Sequence, residues 1–585
     1  MSRRKAQKKA QKQAQQLSRF GWRSGALKAG FALVALGLVG GSFYRQIIQH
    51  ERMATKAQSR HVVTVEVPAH RGTIFDRNGE PLAMSTPVDS IGAKPRELLQ
   101  HVDALPKLAR VLGLDPDQLL KKLNRNLDKE FVFLRRRVKP QTVAAVNALE
   151  LHGISAKREY RRFYPATEVT SHLIGLTNVN DIGHVGFEKA WNPMLAGKPG
   201  ANRVLKDRHG RMFEHVDSVR PPRHGESIRT SIDLRLQYFA YLALKSAMEQ
   251  FKAQNGSVVI LDVHTGEVLA MVNQPSYNPH SFAEYSGERS RNRAVSDIVE
   301  PGSSIKPLIV AAALELGVID PQTIIDTSPG RIQVDAKLIE DHHDLGEIDL
   351  TTLVARSSNV GIVKIAQQID REDLWQSLVA YGFGELTGAR LPGESAGLLN
   401  HFIDWQRVTH ATVAYGYGLA VTPLQLARAY AAIGNGGELK PVSLLALDET
   451  VPGVPILSTE TTEVVRGLME HVVLPGGTGT KAAVAGYRVA GKTGTAWKAS
   501  NGAYSTDNYF SLFAGLIPAS DPRLAAVVVI DDPQGGDYYG GDVAAPVFAT
   551  VMSEAMRLMA IRPDDVPALN AGLVESLASN VVVAQ

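Results

Sequence analysis

Sixteen consecutive residues without a charge, Ala29–Tyr44 (AGFALVALGLVGGSFY), follow directly on a strongly basic tail, and together they decide where the rest of the chain can fold. At 1.5 Å per residue the run falls slightly short of a hydrocarbon core about 30 Å thick. Gly25–Leu27 lengthen it, and Lys28 can carry its ammonium out to the interface, so residues 25–45 read as a membrane anchor. Arg3, Arg4, Lys5, Lys8, Lys9, Lys12, Arg19, Arg23 and Lys28 precede it. The positive-inside rule then puts the tail, residues 1–24, in the cytoplasm and everything after Arg45 outside. A cleaved signal peptide is the competing reading, since Gly40, Gly41 and Ser42 are small. Against it, the basic region is long and no A-x-A site follows. No other stretch approaches 18 apolar residues, so the chain reads as single-pass.

The formal net charge of +5 belongs to that tail. The first 50 residues hold ten Lys/Arg and no acid, leaving 54 basic against 59 acidic residues in the body, which is no polyanion binder. No nucleic-acid partner is therefore expected. The absence of cysteine excludes a disulfide framework, a thiol nucleophile and any Cys-ligated metal.

At 585 residues more than one core is expected. Residues 46–225 read as a mixed pedestal module with extended runs at Val62–Val67 and Phe131–Leu134, helices over Leu98–Leu112 and Pro140–Leu149, and an Asn-Gly turn at Asn78-Gly79. It shows no nucleophile–base pair and no metal spacing; His209 and the pair His342-His343 read as solvated loops. From about 226 to 562 the texture changes. Gly256–Asp262 and Glu267–Val272 form a hairpin; Tyr509–Ile517 and Leu524–Ile530 form another near the end. Strands at both ends with helices between predict an α+β domain: an antiparallel sheet with helices on both faces and an inserted helical subdomain. Residues 545–560 close it as an amphipathic helix, and 563–585 read as a loose tail.

Three short motifs carry the chemistry. In Glu300-Pro-Gly-Ser-Ser-Ile-Lys-Pro, Ser303 reads as a helix N-cap, with Pro307 as the fourth helical residue, and Lys306 falls one turn on, on the same face. Leu308–Leu314 is apolar nearly all round, so the helix is buried. A buried lysine loses its charge easily and can serve as base to the serine. Ser357-Ser358-Asn359 lies between two helices and offers a hydroxyl and an amide. Lys492-Thr493-Gly494-Thr495 opens a β-segment in which Gly494 permits close backbone approach, and its cation and hydroxyls suit a carboxylate. Each alone has an ordinary structural reading: a capping serine with a surface lysine, a helix cap, a Gly-containing edge strand.

Together, 54 and then 135 residues apart, they resemble the S-x-x-K, S-x-N and K-[ST]-G signatures of the penicillin-recognising serine transferases. Within them the chain resembles the class B penicillin-binding proteins, peptidoglycan D,D-transpeptidases, through RGTIFDRNGEPLA (71–83), RFYP (162–165), Gly186-Phe187-Glu188, SIDLRLQ (231–237), LPGE (391–394) and AYGYGLAVTPLQLA (414–427). The wording is closest to the division-specific branch of Gram-negative bacteria. The resemblance implies Ser303 as nucleophile towards D-Ala-D-Ala stem peptides and Lys306 as its base. Ser357 would relay a proton, Asn359 would hold Lys306 and the substrate amide, and Lys492 would supply positive potential. Thr493, Gly494 and Thr495 would bind the substrate carboxylate, and Tyr415, Tyr417, Tyr538 and Tyr539 would wall the cleft. It calls for no metal or cofactor. It further implies β-lactams as trapping ligands, an inner-membrane location with a periplasmic catalytic domain at the septum, and a polytopic lipid II polymerase with other divisome proteins as partners.

Rival readings remain. A β-lactamase or D,D-carboxypeptidase would be a related hydrolase, but Glu394, the nearest match to a deacylating glutamate, belongs to LPGE and stands too far from Asn400. A β-lactam sensor, a divisome scaffold with incidental acyl chemistry, and the elongation-specific paralogue are the others.

Overall fold

Val258, Val259, Ile260 and Leu261 are all buried, yet alternate residues enter different cores, as a strand covered on both faces requires. The computed structural model describes residues 2–48, 62–206, 212–281, 284–500 and 503–565. They divide into two units, one of residues 1–69, 89–157 and 198–223, the other of 70–88, 158–197 and 224–585.

In the second unit the elements used below run in this order: α1 (Leu234–Gln250), β1 (Asn255–Asp262), β2 (Val268–Gln274), α2 (Lys306–Glu315), β3 (Arg331–Val334), β4 (Lys337–Glu340), α3 (Leu350–Arg356), α4 (Asn359–Ala366), α5 (Pro423–Gly434), β5 (Ala490–Ser500), β6 (Ala503–Ile517), β7 (Leu524–Asp531) and α6 (Ala545–Leu558). The sheet order is β2-β1-β7-β6-β5, antiparallel throughout. The two predicted hairpins thus form one sheet, with β5 as an added edge. Val258, Ile260, Ala526 and Val528 share one core with Leu236, Ala240 and Leu244 of α1 and with Val551 and Met552 of α6. Val259, Leu261, Val527 and Val529 share the other core with α2 and α5. The α+β architecture expected from the sequence is observed.

The same unit holds a buried charge cluster. Arg71 Nε donates to Glu188 Oε2 at 2.7 Å and Arg162 Nε to Glu188 Oε1 at 2.5 Å, while Arg71 Nη1 reaches Asn192 Oδ1 at 2.8 Å. Three of the segments singled out in sequence, around 71, 162 and 188, therefore converge on one carboxylate. The Asn78-Gly79 turn forms as expected: Gly79 is left-handed, and Asp76 accepts the amides of Asn78 and Glu80.

In the first unit, helix Ser2–Phe43 contains most of a stretch, Trp22–Ile47, long and apolar enough to cross a membrane. Strands Val62–Val67, Gly200–Lys206 and Met212–Arg220 make a separate antiparallel sheet. The single helix expected over Leu98–Leu112 is instead Pro95–Leu98, a 3₁₀ segment Leu99–Ala104, and Leu105–Leu112. His101 departs from helical geometry, and Pro106 sits in the first turn of the last piece, where its missing amide costs nothing. His209 and residues 566–585 of the expected tail lie outside the described residues.

Candidate active site

Ser303 lies in a 3₁₀ turn, Gly302–Ile305, that leads directly into α2. It is not the N-cap expected: its carbonyl accepts the Lys306 amide, but its side chain caps nothing. Pro307 occupies the first turn of α2 rather than its fourth position, the placement proline prefers. Freed from capping, Ser303 is half-buried and lines a cavity of about 830 Å³. The turn is pinned from behind, since the buried Tyr430 hydroxyl donates to Ser304 O at 2.5 Å and Ser304 Oγ to Pro301 O at 2.7 Å.

Lys306 is fully buried. Its Nζ lies 2.6 Å from Ser357 O, 3.1 Å from Ser357 Oγ and 2.8 Å from Asn359 Oδ1. Burial first, then the nearby Lys492 ammonium, push its pKa well below the ordinary lysine value, while Asp341 opposes them. A neutral amine has two N–H donors, enough for Ser357 O and Asn359 Oδ1. Its lone pair is then left for a hydroxyl proton. Ser357 stands between α3 and α4 in the left-handed region (φ 62°), and Ser358 caps α4 through the Gly361 amide. The expected turn between two helices is present, with the capping role falling to the middle serine.

Lys492 is likewise fully buried on β5, and burial lowers its pKa to about 7. Its Nζ lies 3.3 Å from Thr493 O. Thr493 Oγ1 meets Thr478 Oγ1 at 2.9 Å, and Thr495 Oγ1 accepts the Gly540 amide at 3.0 Å. Gly494 is required by close approach: a Cβ there would stand 2.7 Å from Pro301 O, on the turn that carries Ser303. β5 and the serine turn are thus held edge to edge.

The cavity is lined by Ser303, Ser357, Asn359, Thr493, Thr495 and all four tyrosines of the sequence analysis: Tyr415, Tyr417, Tyr538 and Tyr539. Tyr415 and Tyr417 flank Gly416 where the backbone turns, Gly416 and Gly418 both adopting positive φ, and their rings meet at 5.5 Å. His342 and His343 are exposed on the cavity rim. Glu394 is engaged by the Thr387 amide and hydroxyl at 2.8 and 2.5 Å.

Several lining residues were not singled out in sequence. Thr478 belongs to Gly476-Gly477-Thr478, a glycine-rich loop readable only as a turn, and Asp341 and Arg356 are single charges without a motif. Trp497 sits two residues beyond the Lys-Thr-Gly-Thr run, and its amide donates to Tyr417 OH at 3.3 Å. Glu300 accepts the Gly418 amide and the Tyr504 hydroxyl at 2.9 and 3.0 Å, and burial raises its pKa.

An antiparallel sheet between helices, with a Ser-x-x-Lys helix start facing a Lys-Thr-Gly edge strand, defines the penicillin-recognising class of serine enzymes. Residues 256–553 match the penicillin-binding protein transpeptidase domain, and residues 66–230 the penicillin-binding protein dimerisation domain. The chain is 42% identical over 549 residues to the peptidoglycan D,D-transpeptidase FtsI of Escherichia coli K12, covering 93% of each. It is 38% identical over 535 residues to a probable peptidoglycan D,D-transpeptidase, PbpC, of Pseudomonas aeruginosa, covering 92% of this chain and 95% of that one. Among solved structures it resembles penicillin-binding protein 3 of Mycobacterium tuberculosis in complex with aztreonam, with a TM-score of 0.66 at 27% identity, covering 87% of this chain and all of that one. This chain belongs to the class B penicillin-binding proteins.

Proposed function

We propose that the chain is a serine D,D-transpeptidase that cross-links peptidoglycan stem peptides during septal wall synthesis and is trapped by β-lactams. The observation carrying this reading is the fully buried Lys306 amine, its pKa pushed down by burial, held by Ser357 and Asn359 at the start of the helix that follows Ser303. Ser303 Oγ attacks the carbonyl carbon of the penultimate D-Ala as its proton passes to Lys306 Nζ. The developing oxyanion faces the backbone N–H groups of Ser303 and Thr495, and loss of one such donor typically costs about 10²–10³ in rate. Collapse of the intermediate breaks the peptide bond. The proton then moves from Lys306 through the Ser357 hydroxyl to the leaving nitrogen, and D-Ala departs. An amine of a second stem peptide attacks the ester, the bond to Ser303 Oγ breaks, and the serine regains its proton. Lys492, Thr493, Gly494 and Thr495 receive the terminal carboxylate of the donor, Asn359 its backbone amide, and the tyrosines the flanking chain.

The experiment is intact-mass labelling with a penicillin. A persistent adduct on the wild type, absent from Ser303→Ala, is expected; an adduct lost rapidly would make the protein a hydrolase instead. Residues 1–24 are cytoplasmic, 25–45 the anchor, 46–225 the pedestal, 226–562 the catalytic domain and 563–585 a tail. The chain has no native cysteine. Single cysteines at Gln13 and Gln118 therefore test the orientation by impermeant thiol labelling of intact spheroplasts: only the second should react. For the pedestal, the reading is docking to a polytopic lipid II polymerase and other divisome proteins. Septal recruitment that survives its removal would refute this.

A further inference from the structure

Asp341 follows β4 directly and takes no part in the steps above, yet its carboxylate is aimed at the Ser357–Asn359 turn. It accepts the Ser358 hydroxyl at 2.6 Å, the Asn359 amide, and the Val360 amide at 3.1 Å. The preceding carbonyl, Glu340 O, accepts Asn359 Nδ2 at 2.9 Å. That bond decides which way the Asn359 amide points: with Nδ2 committed to Glu340, Oδ1 is left to face Lys306 Nζ at 2.8 Å. Asp341 is itself fixed, because its own amide donates to Gly330 O at 2.9 Å, and β3 and β4 pair in register behind it. The β3–β4 hairpin, which belongs to none of the signature motifs, thus clamps the second of them.

We propose that Asp341 is a positioning residue that does two things at once: it holds the Ser357–Asn359 turn, and through it Lys306, in register with the serine turn, and its negative charge bears on the Lys306 amine. Three acceptor contacts at the start of α4 are more than a turn of that size needs to close, since Ser358 already caps the helix. What they add is a fixed place for Ser357 and for the Asn359 amide. The inference rests on Lys306 being the base that activates Ser303.

A carboxylate that only braced the turn and one that also acts on Lys306 differ in a measurable way. The charged groups bearing on Lys306 are Lys492 from β5, which disfavours its ammonium, and Asp341, which favours it. Glu340, His342 and His343 flank Asp341 along the rim, and Arg356 precedes the turn. Removing the Asp341 charge therefore moves the protonation of Lys306 to lower pH. Acylation needs the free amine, so its acid limb moves down in pH even as its plateau falls.

The test uses the detergent-solubilised full-length protein and a fluorescent penicillin, with acylation rates followed across pH for wild type, Asp341→Asn, Asp341→Ala and Ser303→Ala. Asp341→Ala is expected to acylate on the order of 10- to 100-fold more slowly. Asp341→Asn, which keeps the shape and one acceptor oxygen, should fall less, and in both the acid-limb midpoint should drop. Should the alanine variant fail to fold, the asparagine variant still reports through the midpoint. Wild-type rates in Asp341→Asn with an unmoved midpoint overturn the proposal, and so does a slower rate with an unmoved midpoint. Acylation of Ser303→Ala would instead overturn the catalytic reading beneath it.

Discussion

Removing the charge of Glu188 should unfold the second unit earlier, by an amount that follows from its surroundings. Glu188 is fully buried and receives Arg71 and Arg162, themselves at 1% and 4% exposure. Glu188→Gln keeps the shape but leaves two guanidinium groups in the interior with no anion bonded to both. Breaking a buried pair costs about 3–5 kcal/mol, because the surviving charge is uncompensated. Unfolding roughly 400 residues carries an entropy near 0.8 kcal/mol per kelvin, at about 2.1 cal/mol/K each. The melting temperature should then fall by about 4–6 °C, read by differential scanning fluorimetry or calorimetry. Asp181, whose carboxyl burial pushes up to about 6, is ionised above that pH and takes over part of the neutralisation. The loss should accordingly be larger below pH 6 than above it. Replacing Arg71, Arg162 and Glu188 together by methionine should cost less than the single change, since no charge is then stranded. A Glu188→Gln variant that melts with the wild type, or a triple variant that melts below the single one, would refute the reasoning.

Two further outcomes come from the cleft. Lys492 has its pKa lowered to about 7 by burial, so between that value and the ordinary lysine range the unfolded chain binds the extra proton. The folded state therefore bears the cost of the charge below about pH 7 and sheds it as pH rises towards the unfolded value. Lys492→Met should raise the melting temperature at pH 6 and lose that advantage near pH 10, while abolishing penicillin acylation; an equal gain at both pH values would contradict the assignment. Gly494→Ala places a methyl 2.7 Å from Pro301 O and must push the serine turn off β5. Acylation should drop by about 10² for a displacement near 1 Å, with fluorimetry showing little change in melting; an unaffected rate would mean the two edges move independently.

What could be read in the sequence was whatever is local in chain or repeats with a period. The paired hairpins at 256–272 and 509–530 declare themselves through continuous apolar runs bounded by turn residues, and they are found as strands of one sheet. The helix after Lys306 is apolar nearly all round and is buried from Lys306 through Ala313. The exact capping was not legible, because Ser303 and Ser358 look alike in sequence. Only the fold decides that Ser358 caps while Ser303 faces the cavity. Nor could the Leu98–Leu112 break be read from periodicity, which tolerates Pro106 wherever a helix begins anew. The deeper limit concerns charges that act through distance in chain. Asp341 lies 35 residues from Lys306, and Arg71 lies 117 from Glu188; neither pairing has a spacing signature. A single sequence can show that such residues exist in conspicuous segments. It cannot show that a hairpin carboxylate and a buried lysine grip the same turn, because that juxtaposition is a property of the packed subdomain rather than of any segment within it.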